Sequence, residues 1–487
     1  MPVAGNSAGR ISVGFMALAL LGAVMFFPGL GSMPLLDDDE TRFASVAREM
    51  VRSGDWIVPR FNGDLADKPP LSFWIMAGSF RLFGVNAFAA RFGSAFVSMI
   101  ALLVLYRMAA RLYDQRTAFW SGLVLLGSLL FVAEARLATT DACLLALVMS
   151  MLALAVGGWW SDQGALKEIN GAFPRFSAWR AMAIGLFGGL GILCKGPAAL
   201  VLPFLTLWLF AWRAHFSFFV GGKAQRILGS AWLSLRGLRP ILIFSAAFLV
   251  SVPWHFALWQ ADGLEWFRLF YGLHYLGRLP WVGALTGFGM SAPAGHGGFP
   301  FFQAIAMLAG LFPWSVFLPL AVWRTFRGAK DFASKRGAGD FLVTLWLMVW
   351  LMAVSFSSTQ LPHYAFPAYP SACIMIASLV VDCRRSTAVR DVWLYAAAGG
   401  LAWGGVIIGA AMLFGGRWLE FPVFSDFAWL GLIPLVCAAL FAFAVRSGAR
   451  VLGLQTVALG ALALQWAAFQ VALPRFGELD PTASILV

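Results

Sequence analysis

Residues 36–70 read LDDDETRFASVAREMVRSGDWIVPRFNGDLADKPP, and they follow directly on the first apolar segment of the chain. This stretch contains eight of the 23 acidic residues of the protein, and five Arg and Lys residues are interleaved with them. Charges beside a bilayer are costly unless they face water or a polar cavity. We therefore interpret residues 36–70 as the floor of a water-facing catalytic site rather than as a simple connector between helices.

The rest of the chain has the composition of an integral membrane protein. Of its 487 residues, 60% are hydrophobic and 12% are charged, and the mean hydropathy is +0.79. Apolar runs of about twenty residues are long enough to cross a bilayer as helices. We predict an all-α polytopic membrane protein, one domain over residues 1–487, with about 13 transmembrane helices near 11–30, 88–111, 117–133, 139–158, 179–194, 197–213, 239–260, 301–323, 340–357, 362–381, 392–415, 426–446 and 451–472.

The positions of the cations predict the orientation of these spans. With a cytoplasmic N-terminus, most of the 35 Lys and Arg residues fall in cytoplasmic segments, as the positive-inside rule requires. The net charge of +12 is then a consequence of topology, and nucleic-acid binding is not expected. We predict a multi-pass protein of a bacterial inner membrane with a periplasmic C-terminus. Residues 1–30 lack an A-x-A-type cleavage site, so we expect them to stay as the first span.

Two segments on the outer side are long, at 31–87 and 261–300. In the first, apolar residues recur at helical spacing over Arg42–Arg52, which predicts an amphipathic helix at the membrane interface. Ser72–Phe83 is a second candidate for an interfacial helix, and Gly54–Pro70 between them should be irregular. The second segment is rich in aromatic residues, which fits either an anchoring belt or a lid over a cavity.

Motifs of several enzyme classes are missing from the sequence. There is no Walker motif, no G-x-S-x-G elbow and no HExxH pattern, so an ATP-driven pump is not expected. The five cysteines are scattered in or beside apolar runs, which argues against a disulfide framework or a zinc site. Carboxylates and cations outside the membrane are therefore the best candidates for chemistry.

The first candidates are Asp39, Glu40 and Arg42, followed by the pair Asp67 and Lys68. A carboxylate beside a fixed cation can act as general base toward an incoming nucleophile, and a lysine can stabilise an anionic leaving group. A structural alternative exists for each. The acidic run can cap the following helix, and Lys68 can extend from the interface to water.

Further candidates lie at the outer ends of later spans. Asp141 opens the fourth span, where capping of the helix is the structural alternative, and Lys195 lies between the fifth and sixth spans. A later connection on the same side contains Gln360, His363 and Tyr364. A histidine in such a place is more often a structural hydrogen-bonding group than a ligand.

These motifs, in this order, resemble a known family. Asp-Glu-x-Arg after the first span is followed by SGDW-x-x-P at Ser53–Pro59, an Asn-Gly and a Lys-Pro, and then by an Asp, a Lys-Gly and an S-x-x-x-L-P-x-Y. The pattern resembles the group of GT-C glycosyltransferases that contains ArnT-like enzymes and protein O-mannosyltransferases. It is most specific over residues 36–145. Asp67 stands where ArnT-like sequences have Glu, and Gln360 stands where a Lys often precedes Leu-Pro.

The resemblance implies a polyprenyl-phosphate sugar donor, a lipid or glycolipid acceptor such as lipid A, and inversion at the anomeric carbon. It implies that Asp39 is the catalytic carboxylate with Glu40 and Arg42 beside it. It further implies that Lys68, Arg42 and Lys195 bind the donor phosphate, and that substrate contacts come from Asp67, Asp141, Gln360, His363 and Tyr364. No cofactor is required, and a divalent metal is left open. The sugar is also open, with an aminopentose as one candidate. A protein O-glycosyltransferase and a flippase for lipid-linked sugars are the alternatives.

Overall fold

The computed structural model describes residues 12–35, 38–161, 165–167, 173–218, 223–278, 299, 301–334, 336–385, 389–418 and 422–475. These residues are mostly helical. The helices up to the second outer segment are α1 (Val13–Phe26), α2 (Asp38–Ser53), α3 (Leu71–Phe83), α4 (Ala87–Leu112), α5 (Gln115–Leu126), α6 (Leu129–Arg136), α7 (Asp141–Trp159), α8 (Ala178–Lys195), α9 (Ala198–Phe218), α10 (Lys223–Leu238), α11 (Pro240–Asp262) and α12 (Glu265–Phe267). The later ones are α13 (Phe302–Gly310), α14 (Leu318–Gly328), α15 (Gly337–Ser355), α16 (Tyr369–Arg385), α17 (Asp391–Trp418), α18 (Leu432–Arg446) and α19 (Arg450–Ala467).

Shorter helical turns extend several of these elements. They are a π-helix at Arg268–Tyr275, 3-10 turns at Leu276–Arg278, Trp314–Phe317, Pro362–Ala368 and Pro422–Gly431, and a π-helix at Ala468–Ala472. The strands found in the described residues are β1 (Arg60–Phe61) and β2 (Asp64–Leu65), which pair antiparallel. The sequence predicted an irregular linker here, and this is wrong for residues 60–65. Asn62 and Gly63 have φ of +53° and +92°, as a tight hairpin turn requires.

Each of the thirteen predicted apolar runs coincides with helix, and the predicted all-α polytopic fold is confirmed. Ten helices in the described part of the chain are long and apolar enough to cross a membrane, and the count is eleven if α5 and α6, which are bent by 68° at the break between them, are taken as one span. The run 117–133 was predicted as one span. The bend falls at Gly127, where a Cβ would lie 2.5 Å from the indole nitrogen of Trp314, so a side chain has no room there.

Two other predicted spans differ in length or continuity. Helix α1 has 14 residues, which at 1.5 Å per residue is about 21 Å, shorter than the hydrocarbon core of a bilayer. The run 301–323 is divided into α13, the turn Trp314–Phe317 and α14. The division follows Pro313, which cannot donate a backbone hydrogen bond to a continuous helix.

The centre of the bundle is formed by α7 and the span that contains α16. In the most apolar stretch of residues 362–383, 94% of the positions are buried, whereas in that of α17 the share is 22%. Most of the surface of α17 therefore lies on the outside of the bundle, where lipid would surround it. The first residues of α7 and the turn before α16 are mostly buried by the rest of the bundle. Such rigid surroundings can hold the side chains of a site in place.

The first outer segment has its own small core. Helix α2 buries Phe43, Val46, Ala47 and Met50 against Phe73, Met76, Ala77 and Phe80 of α3. This confirms the amphipathic helix expected over Arg42–Arg52, which begins earlier, at Asp38, and it confirms the second helix at Leu71–Phe83. The placement of both helices at a membrane interface stays a prediction.

Candidate active site

A cavity of about 400 Å³ lies where the beginnings of α7 and α9, the end of α8, the segment Phe270–Arg278 and the end of α15 meet. One part of its wall is polar, with the side chains of Lys68, Asp141, Lys195, His274, Arg278 and Tyr364. The other part is apolar, with residues 198–202 of α9 on one side and Trp350, Ala353 and Val354 of α15 on the other. The cavity therefore consists of a charged pocket that continues into an apolar groove between α9 and α15.

An ion pair joins α7 and α8 in the wall of the cavity. The Nζ of Lys195 donates to Oδ1 of Asp141 at 2.6 Å, so the last residue of α8 and the first residue of α7 hold each other. Gly196 follows with φ of +94°, and a Cβ there would lie 2.9 Å from Phe270 and from Tyr275. A glycine at 196 therefore lets the chain turn after Lys195 and lets the aromatic segment 270–275 pack against it.

A chain of ion pairs runs from the surface into the cavity. Arg42 donates to Asp39 at 2.8 Å, and the same nitrogen of Arg42 lies 3.4 Å from Asp67. Asp67 in turn accepts from Lys68 at 2.5 Å, and Lys68 lines the cavity. The Asp39 side chain is 45% exposed, whereas those of Asp67 and Lys68 are 16% and 18% exposed. Asp39 is thus accessible to solvent, and Arg42 links it to the buried pair Asp67 and Lys68.

Burial and charge shift the pKa values of the inner pair. Burial raises the pKa of Asp67, but the charge and hydrogen bond of Lys68, together with Arg42, outweigh it, and the pKa lies below its ordinary value. Burial lowers the pKa of Lys68, the cations Lys195 and Arg278 lower it further, and Asp67 compensates only in part. Asp67 is therefore charged at neutral pH, and Lys68 loses its charge at a lower pH than an ordinary lysine does.

Because the pKa of Lys68 is lowered, binding of a phosphate ligand in the cavity should weaken when the pH rises through a value below 10.5. Lysine is charged below its pKa, and its charge disappears above it. The expected result is a loss of affinity for a polyprenyl phosphate as the pH rises from neutral toward 10.5, at a lower pH than an ordinary lysine would produce. Equilibrium binding of undecaprenyl phosphate as a function of pH measures it.

The matched control is Lys68→Arg, since arginine stays protonated over this whole range. This variant should hold its affinity up to pH 10. If wild type and variant give superimposable pH curves, Lys68 does not contact the phosphate.

Arg278 and Tyr364 close the cavity opposite Lys68. Arg278 donates to the hydroxyl of Tyr364 at 2.7 Å, and the indole of Trp350 donates to the Tyr364 carbonyl at 2.9 Å. Two cations lie over the Tyr364 ring: the Lys195 amine is 5.7 Å and the Arg278 guanidinium 5.8 Å from the ring centroid. Tyr364 is therefore fixed in place between two of the three cations of the cavity.

The sequence did not identify Arg278 and His274 as site residues. A signal was present, because Arg278 is one of few cations in outer segments that otherwise lack them. Nothing in the sequence placed residues 265–278 against α9, however. Burial lowers the pKa of His274, so the imidazole is neutral at pH 7. The residues 279–298, which carry the rest of the expected belt or lid, lie outside the described residues.

Glu40 was expected beside Asp39 in the catalytic machinery, and the structure places it elsewhere. It is fully buried, and its carboxylate accepts two hydrogen bonds of 2.9 Å from Arg91 and one of 2.8 Å from the backbone N–H of Ala138. Arg91 also donates to the carbonyls of Leu30, Met33 and Pro34. We therefore reassign Glu40 to holding the loop before α2, because no substrate can reach it there.

Neither Gln360 nor His363 lines the cavity. Gln360 is 5% exposed, and its amide donates to the carbonyl of Ser355, so it does not line the cavity as expected. His363 is close enough to Asp141 and Lys195 to interact with their charges. In sum, the structure brings Lys68, Asp141, Lys195 and Tyr364 together, with Asp67, Arg42 and Asp39 attached. In the described residues, no group of three or more His, Cys, Asp or Glu side chains is arranged to hold a metal ion.

Known proteins share both the sequence pattern and the fold. A family model described as dolichyl-phosphate-mannose-protein mannosyltransferase matches residues 67–250. Two similar proteins are named undecaprenyl phosphate-alpha-4-amino-4-deoxy-L-arabinose arabinosyl transferase. The one from Erwinia tasmaniensis is 30% identical over 74% of this chain, and the one from Edwardsiella ictaluri is 29% identical over 75% of this chain. The crystal structure of ArnT from Cupriavidus metallidurans bound to undecaprenyl phosphate matches 95% of the chain and 77% of its own, with a TM-score of 0.73 at 22% identity.

The chain has an ArnT-like GT-C fold. This confirms the resemblance inferred from the motifs. The chain spans 58% and 59% of the length of the two arabinosyl transferases, less than two thirds. The mannosyltransferase family match begins at Asp67 and includes Lys68, Asp141 and Lys195, while Asp39 lies before it and Arg278 after it.

Proposed function

We propose that this protein is an inverting glycosyltransferase that moves a sugar from a polyprenyl phosphate carrier to lipid A or another envelope glycolipid. The observation that carries the proposal is the cavity itself, in which three cations meet at one end of an apolar groove. A polyprenyl phosphate has matching parts, an anionic head and a hydrocarbon tail. An oxidoreductase or a nucleotide-dependent enzyme would need different binding elements.

The charges of the cavity fit a phosphate that becomes more negative during the reaction. Asp67 and Asp141 balance the charges of Lys68 and Lys195, which leaves about one positive charge, that of Arg278. A sugar linked to polyprenyl phosphate carries one negative charge, and the released polyprenyl phosphate carries up to two. Cations fixed where negative charge develops stabilise the transition state more than the ground state.

In the proposed reaction, an oxygen or nitrogen of the acceptor attacks the anomeric carbon. The bond from that carbon to the phosphate oxygen breaks, and its electron pair leaves with the phosphate toward Lys68, Lys195 and Arg278. Asp39 takes the proton of the nucleophile, since it is the exposed carboxylate of the ion-pair chain. Arg42 binds both Asp39 and Asp67, so it keeps the base at a fixed distance from the phosphate site.

The comparisons support this donor and this chemistry. The relatives are named as arabinosyl transferases that use an undecaprenyl phosphate-linked aminopentose, and the ArnT crystal structure holds undecaprenyl phosphate. We further propose that the cavity opens on the periplasmic side of the inner membrane, with the N-terminus in the cytoplasm and the C-terminus in the periplasm. The distribution of cations along the sequence supports that orientation.

The test is mass spectrometry of envelope lipids and proteins from a strain that lacks the gene, carrying either the wild-type gene or an empty vector. A glycolipid heavier by one sugar, found only with the wild-type gene, is the expected result, and its mass identifies the sugar class. Unchanged lipids together with undecaprenyl-linked sugar accumulating on one side of the membrane would contradict the proposal and favour a transporter.

One observation favours a second acceptor class. The matching family model is described as a protein mannosyltransferase, so the acceptor can be a polypeptide rather than a lipid. The same spectra separate the two. Glycopeptides that depend on the wild-type gene, with unchanged lipids, would move the assignment to protein O-glycosylation.

A further inference from the structure

A group of exposed arginines lies on the face of the protein opposite the cavity. Helix α9 begins at the cavity with Ala198 and ends at Phe218, and α11 returns from Pro240 to Asp262, whose carboxylate pairs with Arg60 of the first outer segment at 2.9 Å. Helix α10 connects the far ends of these two helices. It therefore belongs to the opposite face, which is the cytoplasmic one in the proposed orientation.

Helix α10 packs against the end of α9. The indole of Trp212 donates to the hydroxyl of Ser230 at 3.0 Å, whereas His215, three residues further along α9, lies against Gly237. These two contacts place Ser230 and Gly237 of α10 against the last turns of α9.

Helix α10 buries its small side chains and exposes its large apolar ones, which is the opposite of a helix on the surface of a soluble protein. The side that faces α9 carries small residues, with Ser230 and Ser234 fully buried and Gly237 between the helices. The large apolar residues point outward, with Leu228 73%, Trp232 59% and Leu233 40% exposed. Such a surface is stable only if something apolar covers it.

Three arginines surround the end of this apolar surface. Arg236 and Arg239 are exposed at the C-terminal end of α10, and Arg175 is exposed beside them, because the N–H of Phe176 donates to the carbonyl of Gly237 at 3.0 Å. The Arg236 guanidinium also lies 5.4 Å from the Trp232 ring centroid. Within the described ranges, none of these three arginines has a carboxylate at ion-pair distance.

A hydroxyl and a ring nitrogen near the arginines also lack partners. The Oγ of Ser177, two residues after Arg175, and Nε2 of His215 are buried without a hydrogen bond in the described part of the chain. The exposed cations at the edge of the apolar helix face therefore lie beside two buried polar atoms that have no partner in the described residues.

We propose that Arg175, Arg236 and Arg239, with the outward face of α10, form a binding site for anionic phospholipid on the side of the membrane away from the cavity. The arginines would hold the phosphodiester, whose negative charge no choline or ethanolamine cation offsets in an anionic phospholipid, while Leu228, Trp232 and Leu233 lie among the first carbons of the acyl chains. A free phosphate would leave this apolar face uncovered. The site does not depend on the proposed catalytic function.

The test is the binding constant of the first phosphatidylglycerol molecule, measured by native mass spectrometry of the detergent-purified full chain, against that of phosphatidylcholine. Wild type should prefer phosphatidylglycerol, and each arginine removed should lower its affinity about fivefold, as about 1 kcal/mol per cation predicts. The double variant Arg236→Gln/Arg239→Gln should thus lose about 25-fold for phosphatidylglycerol and little for phosphatidylcholine.

The matched control is Arg390→Gln/Arg446→Gln, which removes two exposed arginines outside this corner. It should leave the phosphatidylglycerol affinity unchanged. A wild type that binds both lipids equally, or a control pair that loses as much as the test pair, would overturn the proposal. If the test variant does not fold, the wild type alone decides, because its preference should disappear at high salt when electrostatic attraction is screened.

Discussion

Asp39→Asn is expected to lower the rate of sugar transfer by about 10² to 10⁴, the range typical for loss of a general base. Asparagine keeps the size of the side chain but cannot accept the proton of the nucleophile. Asp39 does not line the cavity, so the affinity for undecaprenyl phosphate should stay within about twofold of wild type. Turnover of a polyprenyl-phosphate sugar with purified enzyme, together with equilibrium binding of undecaprenyl phosphate, measures the two effects separately.

Asp64→Asn is the matched control for this experiment. Asp64 lies in the same outer segment, is exposed in β2, and its replacement removes the same charge. Its turnover should be close to that of wild type. An Asp39→Asn enzyme with full activity would refute the assignment of Asp39 as the base, and equal losses in both variants would point to the net charge of the segment instead.

Arg91→Leu is expected to have the largest effect on stability, about 3–5 kcal/mol lower free energy of unfolding. The substitution removes the guanidinium that pairs with the fully buried Glu40, and it leaves the carbonyls of Leu30, Met33 and Pro34 without their common donor. Removing one member of a buried ion pair is far more costly than losing a surface contact. Unfolding of the purified protein in mixed micelles with increasing sodium dodecyl sulfate measures it.

Arg107→Leu is the control, since the exposed Arg107 contacts the ring of Phe15 at 5.1 Å and pairs with no carboxylate in the described ranges. It should change the free energy of unfolding by about 0.5 kcal/mol or less. The double variant Arg91→Leu/Glu40→Leu should recover part of the loss, because the buried carboxylate that Arg91 binds is then gone as well. Strictly additive losses would show that the two side chains do not interact.

These two predictions separate neighbouring residues that the sequence treated alike. Asp39 and Glu40 are adjacent and both acidic, and both were expected to act in catalysis. Successive residues of a helix point about 100° apart, so Asp39 meets Arg42 near the surface while Glu40 turns inward to Arg91. The partner of Glu40 is 51 positions away, and only folding shows which of the two carboxylates stays available.

The site itself was predicted in part. Lys68, Asp141, Lys195 and Tyr364 were each chosen because they are polar and occur at the outer end of an apolar run, and all four line the cavity. Gln360 was chosen on the same ground, but its amide turns to the backbone of α15 at Ser355. Arg278 was not chosen, because the sequence does not reveal that the second outer segment folds against Tyr364.

By itself, the sequence determined that the protein is a helical membrane bundle with a charged segment after its first apolar run. Hydropathy, cation positions and helical spacing depend only on residues that are close together in the sequence, so they can be read without knowing the fold. Only the tertiary structure decided which charges pair and which remain for a ligand. Lys195 and Asp141 are 54 positions apart, and Arg278 and Tyr364 are 86 apart, so their meeting depends on how the helices pack. The energy of a charge in a membrane protein is set by its neighbours in space, and those neighbours are fixed only when the bundle has formed.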